Sequence, residues 1–377
     1  MVSNFGIVTY GPILMDIIAC ALKNETYSGT CDYEAIYKLA SYHHVEGITY
    51  LGLKNQQNEW VEKLKKQYDQ IQLKVLYFEM EREKIYRLMR KHNLSYLPLK
   101  GINLLKCYPD CGMRFMSDND IMYGYIKNSD DGYYRDETSE LQAQEVMNQI
   151  MKSLGYKIYI NQAKDDVYTK DPFFVFEMHK RLVNKSSPMI KYYENPWNKT
   201  IRSKEDPYCY QFKIDDEFIY MIYHAYKHFE LAGFGIRYLI DIYYFLEKYQ
   251  KEMNFTYIKQ EFEVIGCNEF YERSLKLCMN GFKKQMDDQD LKMLYYLLGS
   301  GTYGTVGQQV VNQLKKQTKM QYLMQRLYPK GIEFEERYPL FYKYKLLKVF
   351  LPFYRLLLAL MNGPKRIWVE LTSLLKK

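Results

Sequence analysis

The sequence of 377 residues lacks long apolar runs and has few glycines, prolines and cysteines. No uncharged apolar stretch approaches the roughly 20 residues that a membrane-spanning helix needs, so we expect no transmembrane segment. The 20 glycines and 11 prolines follow no fixed period, which argues against a repeat architecture or a low-complexity chain. The first residues contain no basic segment followed by an apolar stretch, so we expect no signal peptide and a cytoplasmic location.

The seven cysteines are scattered along the chain, which argues against a disulfide framework and indicates reduced thiols. Cys107 and Cys111 have no second Cys or His pair close enough in sequence to complete a zinc site. The sequence also lacks a G-x-S-x-G motif, a Walker-type phosphate loop and a dinucleotide G-x-G-x-x-G motif. These absences argue against the common serine hydrolases, P-loop enzymes and dinucleotide-binding enzymes.

Positive charge is concentrated at the end of the chain. The net charge is +8, and residues 343–377 contain eight Lys or Arg against one acid, Glu370. The remainder is nearly neutral, unlike a duplex-binding protein, so duplex DNA is not an expected partner. RNA, an anionic lipid surface and an acidic partner are all compatible with the basic tail.

Hydrophobic periodicity divides the chain into a helical region (1–93), a mixed region (94–213) and a second helical region (214–377). Apolar positions three and four residues apart over 60–89 predict one long helix. Short strands are predicted over 94–99, 118–123, 156–160 and 173–178. The sequence therefore predicts an α+β protein, in which a small mixed β-sheet lies between N-terminal and C-terminal helical regions.

Two aspartates mark the mixed region. Asp118 and Asp120 lie at the start of a predicted strand, where the period of two places both carboxylates on one face, roughly 7 Å apart. Two carboxylates so close repel each other unless a cation lies between them, and hard oxygen ligands favour Mg²⁺ or Mn²⁺. The alternative is that the Asp-Asn-Asp run is a polar turn that enters the strand.

Positive charge and a turn precede the aspartates. Lys100 and Gly101 separate a predicted strand from a short helix, and free N–H groups at such a helix start form a phosphate cradle. Lys100 and Arg114 add positive charge nearby.

A third carboxylate, Glu177, shares a strand face with His179. A lone glutamate in an apolar strand is costly to bury, and a metal shared with the aspartates would supply its partner. The alternative is an edge strand in which Glu177 is exposed to solvent.

These motifs together resemble the nucleotidyltransferase family of bacterial proteins related to DNA polymerase β. The similarity continues through a His-rich helix and an Arg-x-Leu-x-Asp motif over 222–246, and into the C-terminal helices. Two positions depart from the family pattern. Ile102 follows Gly101 where Ser or Gly is usual, and Asn119 lies between the aspartates where an apolar residue is usual.

The resemblance implies a nucleotidyltransferase fold that uses two Mg²⁺ or Mn²⁺ ions to transfer a nucleoside monophosphate from an NTP to an acceptor. The implied metal ligands and catalytic residues are Asp118, Asp120 and Glu177. The implied nucleotide and phosphate ligands are Lys100, Gly101, Arg114, His179 and Arg237. Secondary candidates beside the cleft are His224, His228 and Asp241. The acceptor stays open between a small molecule, a peptide or protein, and an RNA end.

Other interpretations remain open. The chain could be a weak or inactive relative that binds nucleotide or a partner, or a peripheral membrane protein attached through residues 343–377. His224 and His228 could pack against each other or form a zinc site with His179, and Arg237 could pair with Asp241 at i,i+4. The transferase interpretation requires Glu177 to face the aspartates, with no cationic side chain in the gap between them.

Overall fold

The computed structural model of the protein describes residues 4–130, 132–161, 164–283, 285–329, 334 and 338–375. Its first helices are α1 (Asn4–Leu22), α2 (Tyr33–His43), α3 (Glu46–Leu53) and α4 (Glu59–Lys91). The long helix predicted over 60–89 is confirmed by α4. The side chain of Asn58 caps this helix by accepting from the N–H of Trp60. Asn93, with a φ of 55°, turns the chain away from the helix.

One apolar stripe of α4 packs against the central sheet. Val75, Phe78 and Ile85 on this stripe are buried in the core that the helix shares with the strands. Arg82 interrupts the stripe and is nevertheless buried, because its Nη1 donates to Oδ1 of Asn119 at 2.7 Å. The polar residue that interrupts the apolar pattern therefore has a hydrogen-bond partner on the sheet.

The centre of the protein is a five-stranded mixed sheet in the spatial order β1-β2-β7-β6-β5. The strands are β1 (Ser95–Pro98), β2 (Asn119–Gly124), β3 (Ile126–Ser129), β4 (Gly132–Arg135), β5 (Lys157–Asn161), β6 (Asp165–Lys170), β7 (Phe174–His179), β8 (Thr200–Arg202) and β9 (Tyr210–Phe212). The pairs β3–β4 and β8–β9 form two separate ribbons. In the central sheet β2 and β7 are parallel, and the other neighbours are antiparallel. The predicted α+β class and small mixed sheet are confirmed.

The strand β6 is the main element that sequence analysis missed. Its Asp165 and Asp166 are buried, because Oδ1 of Asp166 accepts from Lys180 at 3.0 Å and its Oδ2 accepts from Gln144 at 2.9 Å. Buried acidic residues remove the polar and apolar alternation by which a strand is recognised. Because β6 lies beside β7, the latter is an internal strand, and the edge-strand alternative for Glu177 is wrong.

The remaining helices complete the fold. They are α5 (Gly101–Leu105), α6 (Glu140–Ser153), α7 (Ile214–Leu231), α8 (Arg237–Tyr249), α9 (Phe255–Ile265), α10 (Asn268–Gly281), α11 (Asp288–Ser300), α12 (Val306–Lys316), α13 (Lys319–Leu327), α14 (Pro339–Lys343), α15 (Leu351–Asn362) and α16 (Pro364–Leu375). Within the described residues, no single helix has both the length and the apolar composition to cross a bilayer. Only a pair of the described helical segments satisfies both criteria, and only when the two are taken together: Leu346–Met361 and Pro364–Leu375. The chain bends by 113° between them.

Two apolar cores hold the sheet in place. The larger core joins α1, α2 and α3 to the helices that follow the sheet, with Leu14, Ile48 and Phe218 among its buried side chains. The smaller core joins α4 and α6 to the sheet through residues such as Phe78 and Phe176. A cavity of about 370 Å³ lies where β2 and β7 approach α7 and α8.

Candidate active site

The acidic residues converge because β2 and β7 are adjacent parallel strands. Asp120 lies directly opposite Glu177, and paired residues of adjacent strands project to the same side of a sheet. Asp118 comes just before β2, two residues from Asp120. All three side chains line the cavity. The structure thus brings together the three carboxylates that the sequence analysis named.

Two basic side chains contact the same oxygen of Asp120. Its Oδ1 lies 2.7 Å from Nε2 of His179 and 2.5 Å from Nζ of Lys100. Nε2 of His179 is also 3.6 Å from Oε2 of Glu177, and Nδ1 is 3.4 Å from Oδ2 of Asp165. His179, which the resemblance assigned to the nucleotide, therefore lies among the carboxylates.

Burial and neighbouring charges separate the proton affinities of the acids. Burial alone would raise the pKa of Asp120, but Lys100 and His179 hold it well below its usual value. Burial and the charge of Asp120 raise the pKa of Asp118, and they raise the pKa of Glu177 to about 8. At neutral pH without metal, Asp120 is therefore ionised, whereas Glu177 is mostly protonated.

The donor set fits a divalent metal ion. Ligand atoms of Asp120, Glu177 and His179 all lie within 4.8 Å of one another. Burial lowers the pKa of His179, which leaves a neutral imidazole able to act as a ligand. Compared with the ligand set implied by the resemblance, this cluster adds His179, and Asp118 lines the cavity beside it.

Fewer backbone N–H groups at the Lys100 turn are able to bind a phosphate than the sequence predicts. Lys100 has a left-handed φ of 49°, and Gly101 begins α5, which has only five residues. The N–H groups of the three residues that follow Gly101 donate to carbonyl oxygens within the turn at 2.9 to 3.3 Å. The side chain of Ile102 is buried in the smaller core, which accounts for the first departure from the family pattern.

Both arginines of the predicted phosphate site line the cavity, but each has a protein partner. Nε and Nη2 of Arg114 donate to the two oxygens of Asp241 at 2.7 and 3.0 Å. The hydroxyl of Tyr108 donates to the same carboxylate at 2.7 Å. Arg237 donates from Nη1 to the carbonyl of Phe115 at 3.1 Å. Asp241 therefore pairs with Arg114, and the proposed i,i+4 pair with Arg237 is wrong.

We expect Asp241→Ala to lower the free energy of unfolding by about 3–5 kcal/mol, because Arg114 would stay buried without a counter-charge. The side chains of Arg114 and Asp241 are 6% and 9% exposed, so water cannot take over the pairing. Urea unfolding followed by circular dichroism measures the change. The control is Asp69→Ala, which removes an exposed pair with Lys65 and should cost less than about 1 kcal/mol. Equal losses in both variants would contradict this role.

The second departure from the family pattern, Asn119, is also structural. The side chain is fully buried, and it accepts from Arg82 and donates to the carbonyl of Val175 at 3.4 Å. Alternation along the strand directs it away from the face that carries Asp118 and Asp120. The asparagine therefore binds α4 to the sheet rather than altering the carboxylate site.

We expect Asn119→Leu to destabilise the protein by about 1–3 kcal/mol, because the buried guanidinium of Arg82 loses its hydrogen-bond acceptor. The double variant Arg82→Leu/Asn119→Leu should recover most of that loss, since both polar partners are then replaced. Chemical denaturation of the wild type, the single variants Asn119→Leu and Arg82→Leu, and the double variant tests this. A double variant as unstable as the sum of both single changes would show that the pair is not coupled.

His224 and His228 lie one turn apart on α7 and face the cavity. Their Nε2 atoms are 3.1 Å apart, so one ring donates to the other. Burial and the nearby Lys100 lower the pKa of His224, while burial and Lys227 lower that of His228 to about 4. Among the described residues, His179 groups with the carboxylates rather than with this pair, so the three-histidine zinc alternative is wrong.

Sequence analysis missed several residues of the cavity wall. Glu217, Tyr220 and Lys227 share one face of α7 with His224, at steps of three and four residues that a helical projection could have identified. Burial raises the pKa of Glu217 to about 7 and lowers the pKa of Lys227 to about 8. Further lining residues without a sequence signal are Phe115, Lys164 and Tyr303.

A family model described as an uncharacterised nucleotidyltransferase matches residues 30–125 and 139–283 of the chain. These segments cover well over half of the sequence and contain every residue named for the site from sequence. The match ends before the C-terminal helices, into which we had extended the resemblance. No curated protein and no solved structure matched the chain.

Proposed function

We propose that this chain, which belongs to the family of uncharacterised nucleotidyltransferases, transfers a nucleoside monophosphate from an NTP to an acceptor. In this proposal the transfer depends on Mg²⁺ or Mn²⁺. One observation carries the proposal. The register of β2 and β7 places Asp120 opposite Glu177, and Asp118 lines the same cavity. Acidic side chains from two separate segments thus meet beside several cationic ones, as a triphosphate and its metal require.

In this proposal Asp118, Asp120 and Glu177 hold two divalent ions, with His179 as an added ligand. When bound, the ions neutralise charge on the transferring phosphoryl group and make the acceptor oxygen a better nucleophile. The acceptor oxygen bonds to the α-phosphorus, the bond from that phosphorus to the bridging oxygen breaks, and pyrophosphate leaves. Glu177, which is partly open to the cavity, would lose its own proton on binding the metal and would then be able to take the proton of the acceptor.

Lys100 changes partners during this reaction. Without nucleotide, its ammonium neutralises Asp120; burial opposes this charge, but Asp120 and Tyr220 raise the pKa of Lys100 above its usual value. A divalent cation held by Asp120 would compete with this ammonium, and the flexible side chain of Lys100 would then be able to contact the triphosphate. Lys164 and Lys227 add positive charge on the cavity wall.

A second candidate function is nucleotide binding without turnover. The transferase interpretation required the gap between the carboxylates to be free of cationic side chains, and Lys100 lies 2.5 Å from Asp120. This contact favours a site in which a lysine replaces the metal permanently. The two candidates differ in whether a divalent cation can displace Lys100.

The test uses the full-length protein, each of the four NTPs labelled at the α-phosphate, Mg²⁺ or Mn²⁺, and cell extract as the source of acceptor. Labelled product together with metal-dependent pyrophosphate release supports the transferase. Nucleotide binding in equilibrium dialysis without pyrophosphate release supports the second candidate and contradicts the first. The product separates the acceptor classes, because a small molecule, a protein and an RNA end differ in size and in sensitivity to protease and ribonuclease.

A further inference from the structure

The helix α15 carries an apolar stripe that faces solvent. Phe353, Leu356, Leu357, Leu360 and Met361 follow the spacing i, i+3, i+4, i+7, i+8, which places them on one helix face. Each of these side chains is more than half exposed. In a folded domain, such a stripe normally packs on the core, so its exposure marks an interaction surface.

Further exposed apolar side chains flank α15 in sequence on both sides. Leu346, Val349 and Phe350 lie in the 3₁₀ turn before the helix, and each is more than 60% exposed. Trp368 on α16 is 70% exposed. We call this surface the tail patch, and its members are Leu346, Val349, Phe350, Phe353, Leu356, Leu357, Leu360, Met361 and Trp368.

The tail patch is fixed to the rest of the protein by α16. Leu374 packs with Val310 and Tyr322 in a small separate core. Glu370 accepts from Nε and Nη2 of Arg326 at 2.6 and 2.8 Å, and from the hydroxyl of Tyr322. The helix α16, which carries Trp368 and follows α15, is therefore held against the rest of the protein.

Basic residues flank the tail patch in sequence. Lys343 and Lys348 precede α15, and Lys365 and Arg366 begin α16, where both are exposed. Glu370, the one acid of residues 343–377, is neutralised by Arg326. An apolar face bordered by positive charge complements an anionic bilayer, whereas a second copy of the same surface would bring like charges together.

We propose that the tail patch binds the surface of anionic membranes, with α15 lying in the headgroup region and Trp368 at the interface. Tryptophan prefers this depth because its ring is apolar and its N–H is polar. Basic side chains at both ends of the stripe contact lipid phosphates. This attachment is independent of nucleotidyl transfer, since the tail patch lies beyond the residues that match the family.

The test is co-sedimentation of full-length protein with vesicles of phosphatidylcholine alone or of equimolar phosphatidylcholine and phosphatidylglycerol. We expect binding to the anionic vesicles that weakens with salt, and at least about tenfold weaker binding to phosphatidylcholine alone. Leu357→Glu/Leu360→Glu should weaken binding to anionic vesicles at least about tenfold. The matched control is Leu141→Glu/Val264→Glu, on α6 and α9, where the two side chains are 79% and 70% exposed, and it should leave binding unchanged.

Tryptophan fluorescence reports contact with the apolar part of the bilayer. Of the three tryptophans, Trp197 is fully buried, and Trp60 lies on α4 outside the tail patch, where it packs against Tyr37. A shift of emission to shorter wavelength on adding anionic vesicles should therefore come mainly from Trp368. Trp368→Phe should remove most of that shift while binding persists.

Three results would overturn the proposal. The first is no binding to anionic vesicles, and the second is equal binding by the double variant and the wild type. The third is a wild-type dimer, seen by light scattering, that the double variant converts to a monomer while neither protein binds vesicles. That third result would identify a second copy as the occupant of the patch.

Discussion

Asp120→Asn is expected to lower the rate of nucleotidyl transfer by at least about a thousandfold, equivalent to about 4 kcal/mol of transition-state stabilisation. Asparagine keeps the shape of the side chain and removes the charge at the centre of the site. Lys100 and His179 both contact Asp120 and hold its pKa well below the usual value, so it stays ionised at neutral pH. Glu177 on the paired position is mostly protonated without metal and therefore does not replace this charge. Transfer of the α-phosphate label from NTP to product measures the rate.

The control for this experiment is Asp69→Asn, which makes the same change in an exposed pair on α4. Its rate should equal that of the wild type. Thermal unfolding of Asp120→Asn should show a folded protein, which separates loss of chemistry from loss of structure. A folded variant that retains more than a tenth of wild-type activity would show that Asp120 does not carry the reaction.

Much of the fold could be predicted from sequence where one pattern dominates. The stripe of α4 and the strand β7 follow from the regular spacing of their side chains. The strand β6 could not be predicted, because its Asp165 and Asp166 are buried against Gln144, His179 and Lys180, which lie on neighbouring elements of the fold. Hydropathy alone does not distinguish a buried, paired acid from an exposed one.

For the candidate site, the sequence identified many of the residues involved but not the residues that they contact. Spacing alone was enough to place Asp118 and Asp120 together, but it could not give the register that puts Asp120 opposite Glu177. Contacts between distant segments decide the rest. Lys100 binds Asp120, and Arg114 binds Asp241 over a separation of 127 residues. Such pairs depend on tertiary structure, which one sequence without its fold does not reveal.

The affinity of the nucleotide-free protein for Mn²⁺ should rise about tenfold for each pH unit between pH 6 and the pKa of Glu177, and then level off. Burial and the charge of Asp120 raise that pKa to about 8. Below this value Glu177 carries a proton that must leave before its oxygen can bind metal, so affinity increases with pH. His179 does not add to the slope, because burial lowers its pKa and its ring is already neutral. Calorimetry in buffers of different ionisation enthalpy measures both affinity and the proton released.

Two variants test the roles of Glu177 and Lys100 in metal binding. Glu177→Gln should flatten the pH dependence and weaken Mn²⁺ binding, because the ligand and its proton are both removed. Lys100→Met should strengthen Mn²⁺ binding at pH 7 and weaken NTP binding, because the lysine competes with the cation at Asp120 and then contacts the triphosphate. If Mn²⁺ affinity did not change with pH in the wild type, or if Lys100→Met left it unchanged, the carboxylate cluster would not be the metal site. A lysine that the cation cannot displace would leave the protein a nucleotide-binding relative without the transfer reaction.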